Sequence, residues 1–169
     1  FVTIDEMAIR LWGGEKSLNE AKELQKRTAV LTPTRKGPLG SDAINRRAKK
    51  GVFSPVISLQ NSYLLGVMNG DLGVLEHNPA MDHIHFHHCT VPAVLCPKIE
   101  PAFAMTVHKS QGSEFDRVLL LIPPGAMVDR RLLYTAITRA KRQVVIIGAS
   151  SDFLNAVSRC EERITTLSM

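Results

Sequence analysis

At 169 residues with 44% hydrophobic side chains, the chain can bury the core of one compact domain, with room for a small second module. No apolar run nears the ~20 residues of a membrane span, and the opening Phe1-Val2-Thr3-Ile4-Asp5 lacks the basic head and apolar stretch of a signal peptide, which argues against membrane and secreted classes and for a cytoplasmic protein. The net charge of +5 is unevenly placed: residues 26–50 hold eight Lys/Arg against one acid, Asp42, whereas the remainder holds 13 basic and 15 acidic residues.

That segment, and a second cluster of Arg130, Arg131, Arg139, Lys141 and Arg142, suit a polyanion such as nucleic acid or nucleotide phosphate. The competing reading of each cluster is a solvated helix face. Three cysteines, Cys89, Cys96 and Cys160, form no CxxC pair and are odd in number, which fits a reducing compartment better than a disulfide framework. The chain opens on Phe rather than Met, from which a piece of a longer protein is expected.

In chain order, Thr3-x-x-Glu6 and Ser17-x-x-Glu20 have capping-box spacing and predict two short helices. Thr28-Ala-Val-Leu-Thr-Pro-Thr34 reads as a buried strand stopped by proline, Arg35 to Gly40 as a loop, and Asp42 to Lys50 as a helix closed by Gly51. Short strand-like runs follow at Val56–Leu59, Leu64–Met68, Gly73–Glu76, His83–His87 and Val94–Leu95, with Asn69-Gly70-Asp71 as a hairpin turn. From Phe103 the α/β texture returns: a short helix from Thr106 to Gly112, a strand Val118–Ile122, a helix Asp129–Arg142, a strand Val144–Ile147 and a last helix from Asp152. Strand and helix alternation on both sides of a β-rich stretch predicts one parallel-sheet domain interrupted by a small barrel, divided as 1–51, 52–100 and 101–169.

Residues 106–116, TVHKSQGSEFD, set a His, a Lys, a Gln, a Gly and a Glu between two apolar runs. With Thr106 as N-cap, His108 and Lys109 would sit in a first turn where the macrodipole disfavours cations unless an anion is close. Gly112 permits a sharp turn, and Glu114 offers a carboxylate to sugar hydroxyls. The alternative is an ordinary helix-to-strand turn. In DRRLLYTAITRAKR, Leu132, Leu133, Ala136, Ile137 and Ala140 form an apolar stripe, and Arg131, Thr135, Arg139 and Arg142 line the other side at helical spacing. A guanidinium so placed suits bidentate phosphate binding, against the plainer reading of a surface ion pair.

Ala104-Met-Thr-Val-His-Lys-Ser-Gln-Gly-Ser-Glu-Phe-Asp116, followed by Leu133-Tyr-Thr-Ala-Ile-Thr-Arg-Ala-Lys141, resembles the fifth and sixth helicase motifs of superfamily 1, closest to the RecD-like helicases, the alpha subunit of exodeoxyribonuclease V. Thr32 to Gly40 resembles the motif that opens their second RecA-like domain, and Leu65 to Gly73 resembles its inserted Src-homology-3-like barrel. The resemblance spans roughly residues 28–150 and implies an α/β RecA-like parallel sheet flanked by helices. It implies 5′-to-3′ movement on single-stranded DNA in repair and recombination, driven by ATP with Mg²⁺. By resemblance, Arg139 faces the γ-phosphate as the catalytic arginine; Gln111, Gly112, Glu114 and Arg139 border the nucleotide, the Glu near the ribose. Thr106 and His108 match positions facing the single strand, and Arg35 and Asn69 match motif residues that meet DNA, nucleotide or only their own loop; these four with Lys36 and Lys109 are taken as the expected DNA-facing set.

The P-loop pattern GxxxxGK[ST] occurs nowhere, and no acidic Walker-B strand precedes these motifs. The expectation is a second motor domain whose partners are single-stranded DNA, a first RecA-like domain and, in a complex, RecB- and RecC-like subunits; this stretch alone is expected to be inactive and to hold no cofactor. His83, His85, His87, His88, Cys89 and Cys96 invite a zinc reading, but successive ligands on one strand rarely converge on a tetrahedral ion, so no metal is expected and the histidines are assigned to a barrel's solvent face. Two other functions compete: a nucleic-acid-binding module without motor role, and the helicase part of a conjugative relaxase.

Overall fold

The computed structural model describes residues 17–48, 50–96 and 98–159. The helix expected from Thr3 and Glu6 lies outside them. Helix α1, Leu18–Arg27, opens with the expected capping box: the Glu20 N–H donates to Ser17 Oγ at 3.3 Å and the Ser17 N–H to Glu20 Oε2 at 3.0 Å. Such a cap is worth about 1 kcal/mol. Thr28 turns directly into β1, Thr28–Thr32.

β1 is central to a four-stranded, wholly parallel sheet of order β7-β1-β8-β9, with β7 at Met105–Thr106, β8 at Phe115–Leu121 and β9 at Ala140–Ile147. β1 and β8 are near-continuous apolar runs because both faces are covered. Ala29, Leu31, Val118 and Leu120 point to one face, against Leu133 and Ala136 of α3 (Arg130–Ile137) and Ala156 of α4 (Ser150–Ser158). Val30, Leu119 and Leu121 point to the other, against Ile44 of α2 (Ser41–Arg47). This is the expected α/β layering.

Between α2 and β7 the chain builds a second, antiparallel sheet of order β5-β4-β3-β2-β6: β2 Phe53–Ser58, β3 Leu72–Glu76, β4 His83–Phe86, β5 Thr90–Pro92 and β6 Ile99–Pro101. Its ends, β5 and β6, are edge strands; no pairing closes it into a barrel among the described residues. One core gathers Val56, Val67, Ile84, Phe86 and Val91, and α1 packs Ala21 against Val74 and Phe103. Gly73 is required here, since a Cβ would fall 2.9 Å from side-chain carbons of both Ile84 and Phe86. Its carbonyl accepts Gln25 Nε2 at 2.7 Å, tying α1 to the sheet.

Several elements differ from expectation for local reasons. α2 stops at Arg47, its last turn closed by the Ala48 N–H on Ile44 O, so Gly51 lies well past its end. Residues 64–68 form no strand: Tyr63 to Gly66 fold into a turn bracketed by a Ser62–Val67 bridge, which buries Val67 and leaves Leu64 96% exposed. Asn69-Gly70 does form a tight turn, with Gly70 at φ +94° and the Asp71 N–H on Met68 O at 3.1 Å, but within the long β2–β3 connection. Val94–Leu95 belongs to a single 3-10 turn. α3 ends at Ile137, and Ala140 to Arg142 already belong to β9. No helix among the described residues is long and apolar enough to cross a membrane.

Candidate nucleotide and nucleic-acid site

The strand register sorts the candidate residues to the two ends of the parallel sheet. Leu31 pairs with Met105 on one side and Leu120 on the other, so Thr32 and Thr106 mark the carboxyl ends of β1 and β7. Arg35, Lys36, Thr106, His108 and Lys109 therefore cluster at that end, where the chain order reverses across β1, the place at which open parallel sheets leave a crevice. Residues 107–114 then run back to the amino end of β8. Phe115 lies five residues before Leu120, about 16 Å at strand rise. Gly112, Ser113 and Glu114 sit there, level with Arg139, because Phe115 pairs with Ala140.

At the carboxyl end the expected helix from Thr106 is one 3-10 turn, His108–Ser110. Thr106 still caps it, its Oγ1 accepting the Lys109 N–H at 3.3 Å, and Ser110 Oγ donates to Val107 O at 2.7 Å from a buried position. One turn has little dipole, so the expected conflict between cations and a helix N-terminus does not arise. The positive charges are met instead by carboxylates. Arg35 Nε donates to both oxygens of Asp42 at 3.2 and 3.1 Å, its Nη2 reaches Glu100 Oε1 at 3.2 Å, and Lys109 Nζ donates to Glu100 Oε2. Asp42, with Glu100 behind it, holds the Arg35 guanidinium above its usual range. Gly40 is fixed by close approach, since a Cβ there would lie 2.4 Å from Lys36 O. Lys36 is exposed with no hydrogen-bond or ion-pair partner among the described residues. Asn45 of α2 donates to Pro101 O and Ala104 O at 2.9 and 3.0 Å and accepts the Ala104 N–H at 2.8 Å, pinning the return of the chain from the second sheet.

At the amino end Gly112 takes φ +86°, a left-handed conformation that lets the chain turn into β8. Glu114 pairs with Lys141 at 3.3 Å. Arg139 does not project from a helix, as the sequence suggested; it sits in the turn between α3 and β9. Its Nε donates to Thr135 O at 3.2 Å, its Nη1 to Ser113 O at 3.3 Å, and its own carbonyl accepts the Phe115 N–H at 2.8 Å. One residue thus locks the 112–115 segment to the end of α3. Donors on Nη1 and Nη2 remain for a ligand. Arg142 lies on β9, off the helical line expected for it, and pairs with Asp116 at 3.8 Å.

Two clefts flank these residues. His108 and Gln111 line one of about 550 Å³ with Asp129, Arg131 and Thr135. Gly112 and Glu114 line another of about 770 Å³ with Lys22, Lys26 and Lys141. Gln111, grouped by sequence with Gly112 and Glu114, therefore faces the His108 side. Asn69 lines neither, and its N–H is bonded to Asn61 Oδ1 at 2.7 Å. The histidines are spread among local partners: His85 contacts Glu76 Oε2 at 2.8 Å and Thr90 Oγ1 at 3.0 Å, with only 12% of its side chain exposed rather than on a solvent face. No group of three His, Cys, Asp or Glu among the described residues is arranged to hold a metal ion. Burial pushes the Cys89 and Cys96 thiols up. Sequence reasoning missed Glu100 and Asn45, with partners 65 and 59 residues away, and Asp42, which it noted only as an acid although Arg35 lies seven residues before it; Lys141 lay in the basic cluster it noted.

Residues 101–147 match the UvrD-like helicase C-terminal domain. The RecBCD enzyme subunit RecD of Mycolicibacterium smegmatis is 34% identical over 155 residues, 82% of this chain and 28% of that protein. RecD of Mycobacterium tuberculosis is 36% identical over 160 residues, 83% of this chain and 28% of that protein. The ATP-dependent RecD2 DNA helicase of Deinococcus radiodurans is 32% identical over 159 residues, 81% of this chain and 22% of that protein. The chain thus spans between 22% and 28% of the length of these three curated relatives. In fold it is similar to a Bacteroides Pif1 helicase solved with ADP-AlF3 and single-stranded DNA, with a TM-score of 0.52 at 15% identity over 90% of this chain and 53% of that one. Pif1 helicases at forked DNA give a TM-score of 0.54 at 15% identity, over 90% of this chain and 51% of that one. The chain is related to the RecD helicases over most of its length and, across residues 101–147, to the UvrD-like helicase C-terminal domain.

Proposed function

We propose that in the intact protein this region is the second RecA-like half of an ATP-driven motor that moves 5′ to 3′ on single-stranded DNA. Residues 52–100 form an inserted module within it. The carboxyl end of the parallel sheet meets the strand through Arg35, Lys36, Thr106, His108 and Lys109, with Asn69 contacting it from the insert. The amino end meets the nucleotide through Gly112, Glu114 and Arg139, with Gln111 between the two. A first RecA-like domain carrying the P-loop and the acidic Mg²⁺ ligands closes the nucleotide site, and this stretch without it hydrolyses nothing. Mg²⁺ there offsets phosphate charge. We place its work in recombination and repair in the cytoplasm; the relatives' names, a RecBCD enzyme subunit and an ATP-dependent DNA helicase, support action beside RecB- and RecC-like subunits or alone.

The observation that carries this reading is the seating of Arg139. Carbonyls of Thr135 and Ser113 orient its guanidinium without neutralising it, so its full charge is available to a phosphate. In the intact protein, Arg139→Ala is expected to lower DNA-stimulated phosphate release by on the order of 10³-fold or more while nucleotide affinity changes little. Near-normal turnover in that variant would overturn the assignment.

A further inference from the structure

One carboxylate of the inserted sheet satisfies two of the cations that the strand path uses. Glu100, on the edge strand β6, offers Oε1 to Arg35 Nη2 at 3.2 Å and Oε2 to Lys109 Nζ. Both cations sit on loops at the carboxyl end of the parallel sheet, so the contact crosses between the two sheets. Lys109 and Glu100 are also partly shielded, with 28% and 27% of their side chains exposed.

The cations keep other anchors. Asp42 grips Arg35 along its Nε, which leaves Nη2 as the edge that Glu100 takes. Thr106 Oγ1 holds the Lys109 backbone in its turn. Removing Glu100 therefore leaves a guanidinium edge and an ammonium in place around a vacated two-oxygen acceptor site. A phosphodiester presents such a pair of oxygens with a single negative charge, and Arg and Lys are the side chains that bind it.

We propose that Glu100 is a built-in stand-in for a strand phosphate. It fills a phosphate subsite between Arg35 and Lys109 when no strand is bound, and an entering phosphodiester displaces it, which releases β6 from the two loops. The subsite's ligand is the backbone of single-stranded DNA, so the inference rests on reading the carboxyl end of the sheet as the strand path.

The test uses the intact protein and a fluorescent oligothymidylate, titrated by anisotropy at several salt concentrations, with thermal melts to confirm folding. Glu100→Gln should bind roughly 3- to 10-fold more tightly than wild type, since two partly screened ion pairs no longer compete. Adding Lys109→Ala to Glu100→Gln should remove that gain. Glu76→Gln, which removes the same charge from the same sheet beside His85, should leave affinity unchanged. If Glu100→Gln binds no better than wild type while Lys109→Ala weakens binding, the strand path stands and the stand-in is overturned. Equal tightening by Glu76→Gln would reduce the effect to net charge and overturn it as well. If Arg35→Ala and Lys109→Ala leave wild-type affinity unchanged, the strand path itself fails.

Discussion

Arg35 and Lys109 at the carboxyl end of the parallel sheet and Arg139 at its amino end have their charge met in opposite ways. At the carboxyl end, Arg35 and Lys109 are bonded to carboxylates, Asp42 and Glu100, so their charge is cancelled locally. At the amino end, Arg139 is bonded to carbonyls and has no ion pair among the described residues. Neutral acceptors fix a guanidinium's direction and leave its field intact, whereas carboxylates fix both. Cations already matched, as Arg35 and Lys109 are, suit a ligand that is repeatedly taken and released. A guanidinium oriented and uncompensated, as that of Arg139 is, suits one that develops charge in a reaction.

The largest effect expected to separate the ends comes from Arg139→Lys. An ammonium cannot donate to Thr135 and Ser113 and still present a planar fork, so DNA-stimulated hydrolysis should fall by on the order of 10³-fold, with single-strand affinity nearly unchanged. Loss of strand binding in that variant would mean that the two ends do not act separately.

Asn45→Ala tests how the carboxyl end is held. It removes three hydrogen bonds, two to part-buried backbone groups of Ala104 and one to the exposed Pro101 carbonyl, a cost of about 2–3 kcal/mol in denaturant melts. Where the variant remains folded, strand affinity should suffer more than nucleotide affinity. Equal losses would assign Asn45 to the whole domain instead.

Lys36→Ala sharpens the carboxyl end alone. As an exposed lysine without a partner among the described residues, it can neutralise one phosphate, so the log–log salt slope for single-stranded DNA should become shallower by about 0.7. An unchanged slope would remove Lys36 from the path. The smallest effect is expected from Lys141→Ala at the amino end. Its pair with Glu114 is exposed, and nucleotide affinity should change by less than about fivefold. A larger loss would show that Lys141 touches the nucleotide directly.

What the sequence displayed was local. Ser17 and Glu20 are three residues apart, and the runs at Thr28 and Val118 are apolar because both faces of their strands are covered, so these elements could be read directly. The motif residues were legible as types and in order, but not the ends of the sheet to which they go, because that follows from the pairing of β8 with β1 and β9. α3 looked five residues too long because Ala140 continues the apolar stripe of Ala136 and Ile137, yet it owes its partial burial to pairing opposite Phe115. Leu64 looked like part of a strand but lies exposed at the tip of a turn, where hydrophobicity alone gives no sign. Glu100 carried no local signal. Its partners lie 65 residues before it and nine after it, and only the docking of β6 beside the motif loops brings them together.

The staple made by Asn45 bears on mechanics. Besides the contacts of Gln25 and Glu100, the inserted sheet is joined to the parallel layer by two covalent legs that are anchored unequally. The return leg, Pro101 to Ala104, is gripped by Asn45 and backed by the buried Phe103, whereas Lys50 to Val52 of the outgoing leg are exposed and make no hydrogen bond to the parallel layer among the described residues. A lever with one clamped and one loose leg turns about the clamped one. Torque applied to the insert would therefore arrive at Met105 and Thr106, directly beneath the turn that presents His108 and Lys109.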